Sequence, residues 1–153
     1  MNIVELSTRP DLVDDAIQYF WSCWGNESNR IFYQDCIQHS LRSTSDLPKF
    51  YLGLIDDQLI ASYALLTNDI ISRQDLLPWL ACLYVNEPYR NRGLADQLLQ
   101  HGLAQTRAKG YDHLYLSSDL VGFYEKKGWE YHCDGYNVFG EQLKVYQKLS
   151  AVN

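Results

Sequence analysis

A continuous apolar segment at residues 78–85, PWLACLYV, most constrains how this chain can fold. A run of this length without a charged residue is typical of a strand that is covered on both faces of a sheet. Apolar residues then recur at helical spacing from Leu94 to Lys109, and Gly110 provides a helix stop. The sequence therefore predicts a buried strand, a short polar loop and an amphipathic helix in direct succession.

The other elements are predicted from the same periodicities and from turn residues. Two apolar runs around Asp56-Asp57-Gln58 indicate a hairpin, and the order of all elements is βααβββαβαββ. This order predicts an α/β (α+β) fold with a mixed, mostly antiparallel sheet of about seven strands and helices on both faces. The further predicted segments are a strand at 2–6, helices from about 8 to 24 and from 29 to 42, a strand at 113–117, a short helix at 119–127 with Asp119 as N-cap and Gly128 as stop, and two final strands on either side of an Asp134-Gly135 turn.

Composition and charge narrow the class of protein. Hydrophobic residues make up 46% of the chain, which is typical of a packed globular core, and no repeat or linker divides the chain, so we predict one domain over residues 1–153. The net charge of −6 argues against a nucleic-acid partner, because phosphates need a basic face. No apolar run approaches the roughly 20 residues that cross a bilayer, and the N-terminus lacks the pattern of a secretory signal. We therefore expect a cytoplasmic protein without a membrane partner.

The four cysteines are spread along the chain without a C-x-x-C pair and are interpreted as reduced, packed thiols. No spacing of histidines and cysteines predicts a metal site, so we expect no metal. Cys82 lies within the apolar strand and would be the nucleophile of a ping-pong mechanism. Nothing near it in the sequence marks it as activated, which disfavours that mechanism.

The loop between the apolar strand and the following helix carries the residues that indicate chemistry. Arg90 and Arg92 precede Gly93 at the predicted helix start, where unpaired main-chain N–H groups attract anions. Amides and guanidinium groups together are suited to a pyrophosphate, whereas the alternative is an exposed arginine pair without a ligand. A P-loop or a dinucleotide fingerprint is excluded, because G-x-x-x-x-G-K-[ST] and G-x-G-x-x-G are both missing.

The segment LYVNEPYRNRGLADQLL resembles the central motif of the GCN5-related N-acetyltransferase (GNAT) superfamily. Arg90, Gly93 and Ala95 match its pattern Arg/Gln-x-x-Gly-x-Gly/Ala, which follows a strand and precedes a helix. The segment FYEKKGW resembles the second signature of that superfamily, a tyrosine followed by a glycine and an aromatic residue. The resemblance covers residues from about 79 to 129 and implies the fold of that superfamily and acetyl-coenzyme A as its co-substrate.

The resemblance also implies roles for particular residues. Main-chain N–H groups at Arg90 through Ala95 would hold the pyrophosphate of acetyl-coenzyme A. The strand before them would pair with the pantetheine arm, and an N–H near Leu83 or Val85 would polarise the thioester carbonyl. Tyr124 would be the general acid that protonates the departing thiolate; packing as a core aromatic is the alternative. Ser118 or Asp119 would replace the asparagine that many relatives use to contact pantetheine. The implied cofactor-binding residues are Leu83, Tyr84, Val85, Arg90, Asn91, Arg92, Gly93, Leu94, Ala95 and Ser118.

A primary amine is protonated at neutral pH and must give that proton to a base before it attacks a thioester. Glu87 is nearest in sequence to the cofactor loop and is our candidate, with Asp69, Asp75 and Glu27 as alternatives. No histidine offers a better case. Aromatic residues that favour a cationic acceptor are Trp21, Trp24, Tyr33, Trp79 and Tyr136.

These residues lead to the hypothesis of an N-acetyltransferase that moves the acetyl group of acetyl-coenzyme A to a primary amine by direct attack. The acceptor is a small-molecule amine or an amine of a peptide or protein. The alternative function is a catalytically silent sensor or scaffold that binds acyl-coenzyme A. Edge strands of the predicted sheet would allow a homodimer.

Overall fold

The computed structural model describes residues 1–151, which form seven strands and three α-helices. The strands are β1 Asn2–Glu5, β2 Lys49–Ile55, β3 Gln58–Leu66, β4 Trp79–Val85, β5 His113–Ser118, β6 Glu130–Tyr136 and β7 Gln142–Leu149. The helices are α1 Val13–Trp24, α2 Arg30–Ser40 and α3 Leu94–Ala108. Within residues 1–151, no helix combines the length and the apolar character needed to cross a bilayer.

The strands form one sheet in the order β1-β2-β3-β4-β5-β7-β6. Strand β1 pairs antiparallel with β2, and β7 pairs antiparallel with both β5 and β6. Strand β4 pairs in parallel with β5, where Trp79 lies opposite Tyr115, and α3 supplies the long connection that a parallel pair requires. The predicted class, a mixed and mostly antiparallel sheet with helices, is therefore confirmed.

The hairpin predicted between β2 and β3 is confirmed at residue level. Asp56 has a φ of 51° and Asp57 a φ of 61°. A two-residue turn of this left-handed type matches the twist of paired strands, and aspartate tolerates the conformation better than most residues.

One compact unit comprises Met1–Ala64 and Cys82–Leu98. Helices α1 and α2 pack on each other, and α2 contacts β2. The buried face of α1 carries Ala16, Ile17 and Phe20, and the Phe20 ring meets Phe50 edge-on at 5.2 Å between centroids. Gly25 is the C-cap residue of α1, and a Cβ there would collide with Trp21 Cδ1, so packing requires a glycine at this position.

A second compact unit comprises Leu65–Ala81 and residues 99–151. Its core contains Ile71, Trp79 and Val145. Trp79 is fully buried, and its indole N–H donates a hydrogen bond to the Leu76 carbonyl at 2.6 Å. The loop before β4 therefore packs against the strands that surround it within this unit.

The short helix predicted at 119–127 is wrong. Only a 3-10 turn, Glu125–Lys127, forms there, and Gly128 ends it with a φ of 82°. Gly122 has a φ of 78°, which is incompatible with a right-handed helix at that position. Asp119, predicted as the N-cap, does not cap this turn, because Tyr124 occupies the N-cap position and no side chain caps it. The Leu120 N–H donates to the Ser118 hydroxyl at 3.0 Å, which closes a separate local turn.

The turn predicted at Asp134-Gly135 is also wrong. Strand β6 continues to Tyr136, and the chain reverses over residues 137–141, where the Asn137 side chain accepts hydrogen bonds from the N–H groups of Phe139 and Glu141. Gly135 serves a packing purpose instead, because a Cβ there would lie 2.7 Å from Ile71 Cδ1.

The helix boundaries shift by a few residues from the prediction. Two 3-10 turns, Leu6–Thr8 and Pro10–Leu12, precede α1, and α2 spans Arg30–Ser40 within the predicted 29–42. Proline fits the first position of a helical turn, where its missing N–H has no partner to lose.

We predict that Gly135→Ala lowers the free energy of unfolding by about 1–3 kcal/mol, because the added methyl overpacks the space under Ile71. Urea denaturation measures this loss. Ile71→Val removes the nearest atom, Cδ1, so the double variant should lose less stability than the sum of the two single variants. A Gly135→Ala protein that unfolds at the wild-type urea concentration contradicts the packing role.

Candidate active site

The segment between β4 and α3 begins with a hydrogen bond to β3 and continues with a 3-10 turn. The Asn86 N–H donates to the Ile60 carbonyl at 2.8 Å, which holds the end of β4 beside β3. A 3-10 turn, Glu87–Tyr89, follows, and the Arg90 N–H closes it by donating to the Glu87 carbonyl at 3.1 Å. The Arg90 amide is thus used by the turn, and the donors left for a ligand begin at Asn91.

Residues 91–95 carry the main-chain N–H groups at the start of α3. Asn91 has a φ of 64° and Gly93 a φ of 74°, and the Gln97 N–H donates to the Gly93 carbonyl at 3.2 Å, so α3 starts immediately after Gly93. Among residues 1–151, no hydrogen-bond acceptor is recorded for the main-chain N–H groups of 91–95. A helix start with unpaired donors attracts an anion.

Two guanidinium groups flank these donors, and each is held by one carbonyl and one ring. Arg90 Nε donates to the Val85 carbonyl at 2.8 Å, and its Cζ lies 5.3 Å from the centroid of Tyr84. Arg92 Nη2 is 3.4 Å from the Pro88 carbonyl, with its Cζ 5.5 Å from the Tyr89 ring. Cations beside the positive end of a helix are unfavourable until an anion neutralises them, so this arrangement suits a diphosphate.

Strand β4 departs from regular geometry in its middle. Cys82 has a φ of 55°, a left-handed conformation that is uncommon for a residue with a side chain. Its carbonyl accepts a hydrogen bond from the Ser62 hydroxyl at 3.0 Å. Such strain persists only where the surroundings enforce it and is frequent at functional sites. Leu83, Tyr84 and Val85 follow this irregularity.

The Tyr84 ring contacts two aromatic residues of α1, which the sequence did not predict. Tyr19 and Trp24 of α1 meet the Tyr84 ring edge-on, at 6.2 and 6.3 Å between centroids. The Tyr19 hydroxyl donates to Asn86 Oδ1 at 2.8 Å. No local pattern could have found Tyr19, because its partners lie far along the chain.

Ser118, Asp119 and Tyr124 belong to the second compact unit. Tyr124 is 8% exposed, and its ring packs against Trp129 and Tyr146 at 6.2 and 5.9 Å between centroids. Burial raises the pKa of the Tyr124 hydroxyl, which keeps it protonated at neutral pH. A protonated hydroxyl is the form that a general acid requires.

The candidate bases differ in their surroundings. Glu27 and Glu87 are exposed. Asp75 accepts two hydrogen bonds from Arg73 at 2.8 and 3.0 Å, which lowers the pKa of its carboxyl. Burial raises the pKa of Asp69 to about 7, in the range that suits proton transfer at neutral pH.

The aromatic residues predicted to favour a cationic acceptor differ in their exposure. Trp79 is completely buried in the core, whereas Trp24 and Tyr136 are 46% and 48% exposed. The Trp21 indole donates to the Asn26 carbonyl at 2.7 Å and stabilises the loop after α1. Trp79 is therefore not available to contact an acceptor in this conformation.

The fold is shared with solved acetyltransferases of low sequence identity. An aminoglycoside 6'-acetyltransferase type Ii superposes with a TM-score of 0.76 at 18% identity, covering 100% of this chain and 99% of that chain. An aminoglycoside 6'-N-acetyltransferase complexed with coenzyme A gives 0.72 at 15% identity, with 100% and 99% covered. A GNAT-family acetyltransferase from Streptococcus pneumoniae gives 0.69 at 14% identity, with 97% and 99% covered. The architecture is thus that of the acetyltransferases.

The model of the Acetyltransferase (GNAT) family matches residues 13–129. The chain therefore belongs to the acetyltransferase (GNAT) family, and it is an acetyl-coenzyme A-dependent N-acetyltransferase. A search of curated proteins found no match.

We predict that Gly93→Ala and Gly110→Ala each lower the free energy of unfolding by about 1–2 kcal/mol, because both glycines have left-handed φ values, 74° and 87°. A Cβ would meet nothing within 4 Å at either position, so strain is the shared cause. Only Gly93→Ala should weaken coenzyme A binding, by about tenfold, since it displaces charge-assisted donors. Calorimetry measures the coenzyme A affinity of both variants. Equal affinities in the Gly93→Ala and Gly110→Ala variants would contradict the placement of the anion at 91–95.

Proposed function

We propose that the protein acetylates a primary amine by direct attack on acetyl-coenzyme A, without a covalent enzyme intermediate. The observation that carries the proposal is the set of unpaired main-chain donors at 91–95, flanked by Arg90 and Arg92. These groups fit a diphosphate in both charge and donor type. Acetyl-coenzyme A, when bound, supplies the acetyl group to be transferred, which it carries as a thioester.

The chain's own residues would perform three tasks. Main-chain N–H groups of 91–95 would hold the diphosphate, with Arg90 and Arg92 neutralising its charge. The main chain of Leu83, Tyr84 and Val85 would orient the pantetheine arm, and an N–H of Leu83 or Val85 would stabilise negative charge on the acetyl oxygen. Ser118 would contact pantetheine through the hydroxyl that also caps its own turn.

The acceptor nitrogen loses two protons as it passes from ammonium to amide, and the departing sulfur gains one. The first nitrogen proton goes to a base before the attack, and the second balances the proton that the sulfur receives. The Tyr124 hydroxyl would hold the proton that the departing sulfur receives, and the place of Tyr124 in the segment FYEKKGW supports that role. The acceptor ammonium must give its proton to a base. Glu87 is our candidate from its position beside the cofactor loop, and Asp69 is the alternative that its raised pKa favours.

The acceptor is proposed as a small-molecule amine or an amine of a peptide or protein. Two of the similar structures are aminoglycoside acetyltransferases, which makes aminoglycosides a first class to assay. A turnover screen with acetyl-coenzyme A against polyamines, amino acids, aminoglycosides and peptides tests the proposal. Coenzyme A binding without turnover on any of these acceptor classes would contradict the proposed primary-amine acceptor.

The cellular setting and the assembly are part of the same proposal. Within residues 1–151 no disulfide joins the four cysteines Cys23, Cys36, Cys82 and Cys133, which is compatible with the reducing cytoplasm. Strands β1 and β6 lie at the two edges of the sheet and would allow a homodimer by edge pairing. Light scattering of the purified protein measures its oligomeric state.

We predict that Tyr124→Phe lowers kcat by tenfold or more, toward the roughly 10²–10⁴-fold typical of a lost general acid, without weakening coenzyme A binding. Steady-state kinetics and calorimetry separate the two effects. Tyr131→Phe removes a hydroxyl from an exposed tyrosine and should leave kcat unchanged. A Tyr124→Phe enzyme with wild-type turnover on every accepted amine would remove Tyr124 from the mechanism.

We predict that Asp69→Asn and Glu87→Gln distinguish the base when kcat is measured against pH at saturating substrates. If Asp69 is the base, wild-type kcat falls as the pH drops through about 7, because the carboxylate becomes protonated, and Asp69→Asn loses most activity. If Glu87 is the base, Glu87→Gln is the inactive variant. Full activity in both variants contradicts a carboxylate base at either position.

The stability of the Asp69→Asn variant provides a control for this assignment. Burial raises the folded-state pKa of Asp69, so its contribution to stability is complete below about pH 4 and is lost as the pH rises through 7. The Asn variant should therefore lose less stability than wild type between pH 4 and 8. Urea denaturation at several pH values measures the difference.

A further inference from the structure

Arg90 connects the end of β4 to the donors at the start of α3. Its Nε donates to the Val85 carbonyl at 2.8 Å, which leaves the terminal Nη donors for another acceptor. Among residues 1–151, no hydrogen bond from those Nη atoms is recorded. One side chain thus links the strand residue Val85 to the loop that opens α3.

The Tyr84 ring is the second contact of this guanidinium. The Arg90 Cζ lies 5.3 Å from the ring centroid, within the roughly 6 Å over which a cation–π attraction acts. Arg90 is exposed, so without the ring and the carbonyl its long side chain would be free to turn into solvent. A side chain that is already ordered loses less conformational entropy when an anion binds.

The Tyr84 ring itself packs against two aromatic residues of α1. The rings of Tyr19 and Trp24 contact it edge-on, with interplanar angles of 78° and 84°. The Tyr19 hydroxyl also donates to Asn86 Oδ1, so the residues on both sides of Val85 are tied to α1. Burial raises the pKa of Tyr19, which keeps this hydroxyl a donor.

We propose that Tyr84 is a positioning residue whose ring, supported by Tyr19 and Trp24, holds Arg90 ready to bind the diphosphate of the acyl donor. The inference rests on the proposed function, because it assumes that residues 90–95 bind that diphosphate. Tyr84 acts through Arg90 and contributes its ring face, whereas the role proposed above for the same residue uses its main chain.

A double-mutant cycle on coenzyme A affinity tests this coupling. Tyr84→Leu should weaken binding about 2- to 5-fold, the range for a cation–π contact at an exposed site. In an Arg90→Gln background the same change should have no further effect, because the ring has no cation to hold. Tyr84→Phe keeps the ring and should bind as the wild type does. Calorimetry with coenzyme A measures all variants, and urea denaturation reports their stability.

Several outcomes overturn the proposal. Equal weakening of binding by Tyr84→Leu in both backgrounds shows that the ring does not act through Arg90. Weakening by Tyr84→Phe as large as that by Tyr84→Leu shows the same. If the wild type binds coenzyme A and the cycle shows no coupling, only this inference fails. If the wild type does not bind coenzyme A, the proposed function fails as well. Should Tyr84→Leu not fold, Trp24→Leu is the substitute variant, because it removes a half-exposed ring that supports Tyr84. It should weaken coenzyme A binding by less than the 2- to 5-fold expected of Tyr84→Leu, and it should have no effect in the Arg90→Gln background.

A ligand-free measurement separates the side-chain contact from binding. In ¹⁵N spectra, the Arg90 Nε–H should exchange slowly with solvent, because it donates to the Val85 carbonyl. Its signal should move and its exchange accelerate in Tyr84→Leu but not in Tyr84→Phe. Rapid exchange in the wild-type protein contradicts the held conformation.

Discussion

The unpaired main-chain donors at the start of α3 are the feature on which the proposed site depends. A helix start carries partial positive charge, and residues 91–95 add amides that no protein group satisfies among the residues described. Arg90 and Arg92 increase that charge. The arrangement is stabilised by an anion and is unfavourable without one, which explains why an acidic chain concentrates two arginines there.

The backbone around these donors is held by contacts of several kinds. The carbonyls of Ile60, Val85 and Glu87 accept hydrogen bonds that define the end of β4 and the turn after it. The left-handed residues Asn91 and Gly93 then bring the chain into α3. Because the donors lie on a segment fixed at both ends, little ordering remains to be done when a ligand binds.

Burial raises the pKa of two titratable groups that the proposed chemistry uses. Tyr124 packs among aromatic rings and keeps its proton, as an acid requires. Asp69 is desolvated in the loop before β4, where its carboxyl approaches the pKa of a base that works at neutral pH. Glu87, which the sequence favoured by its position alone, is exposed.

Local sequence patterns determined the strands, α3, the Asp56-Asp57 hairpin and the family motif, because each depends on residues only a few positions apart. Tertiary structure decided the rest. Gly135 is compatible with a turn by itself, yet packing under Ile71 makes it a strand residue. Gly122 breaks the helix predicted after Ser118. The contacts of Tyr19 with Tyr84 and Asn86, and the pKa of Asp69, arise from groups distant in sequence, and only packing brings such groups together or removes them from water.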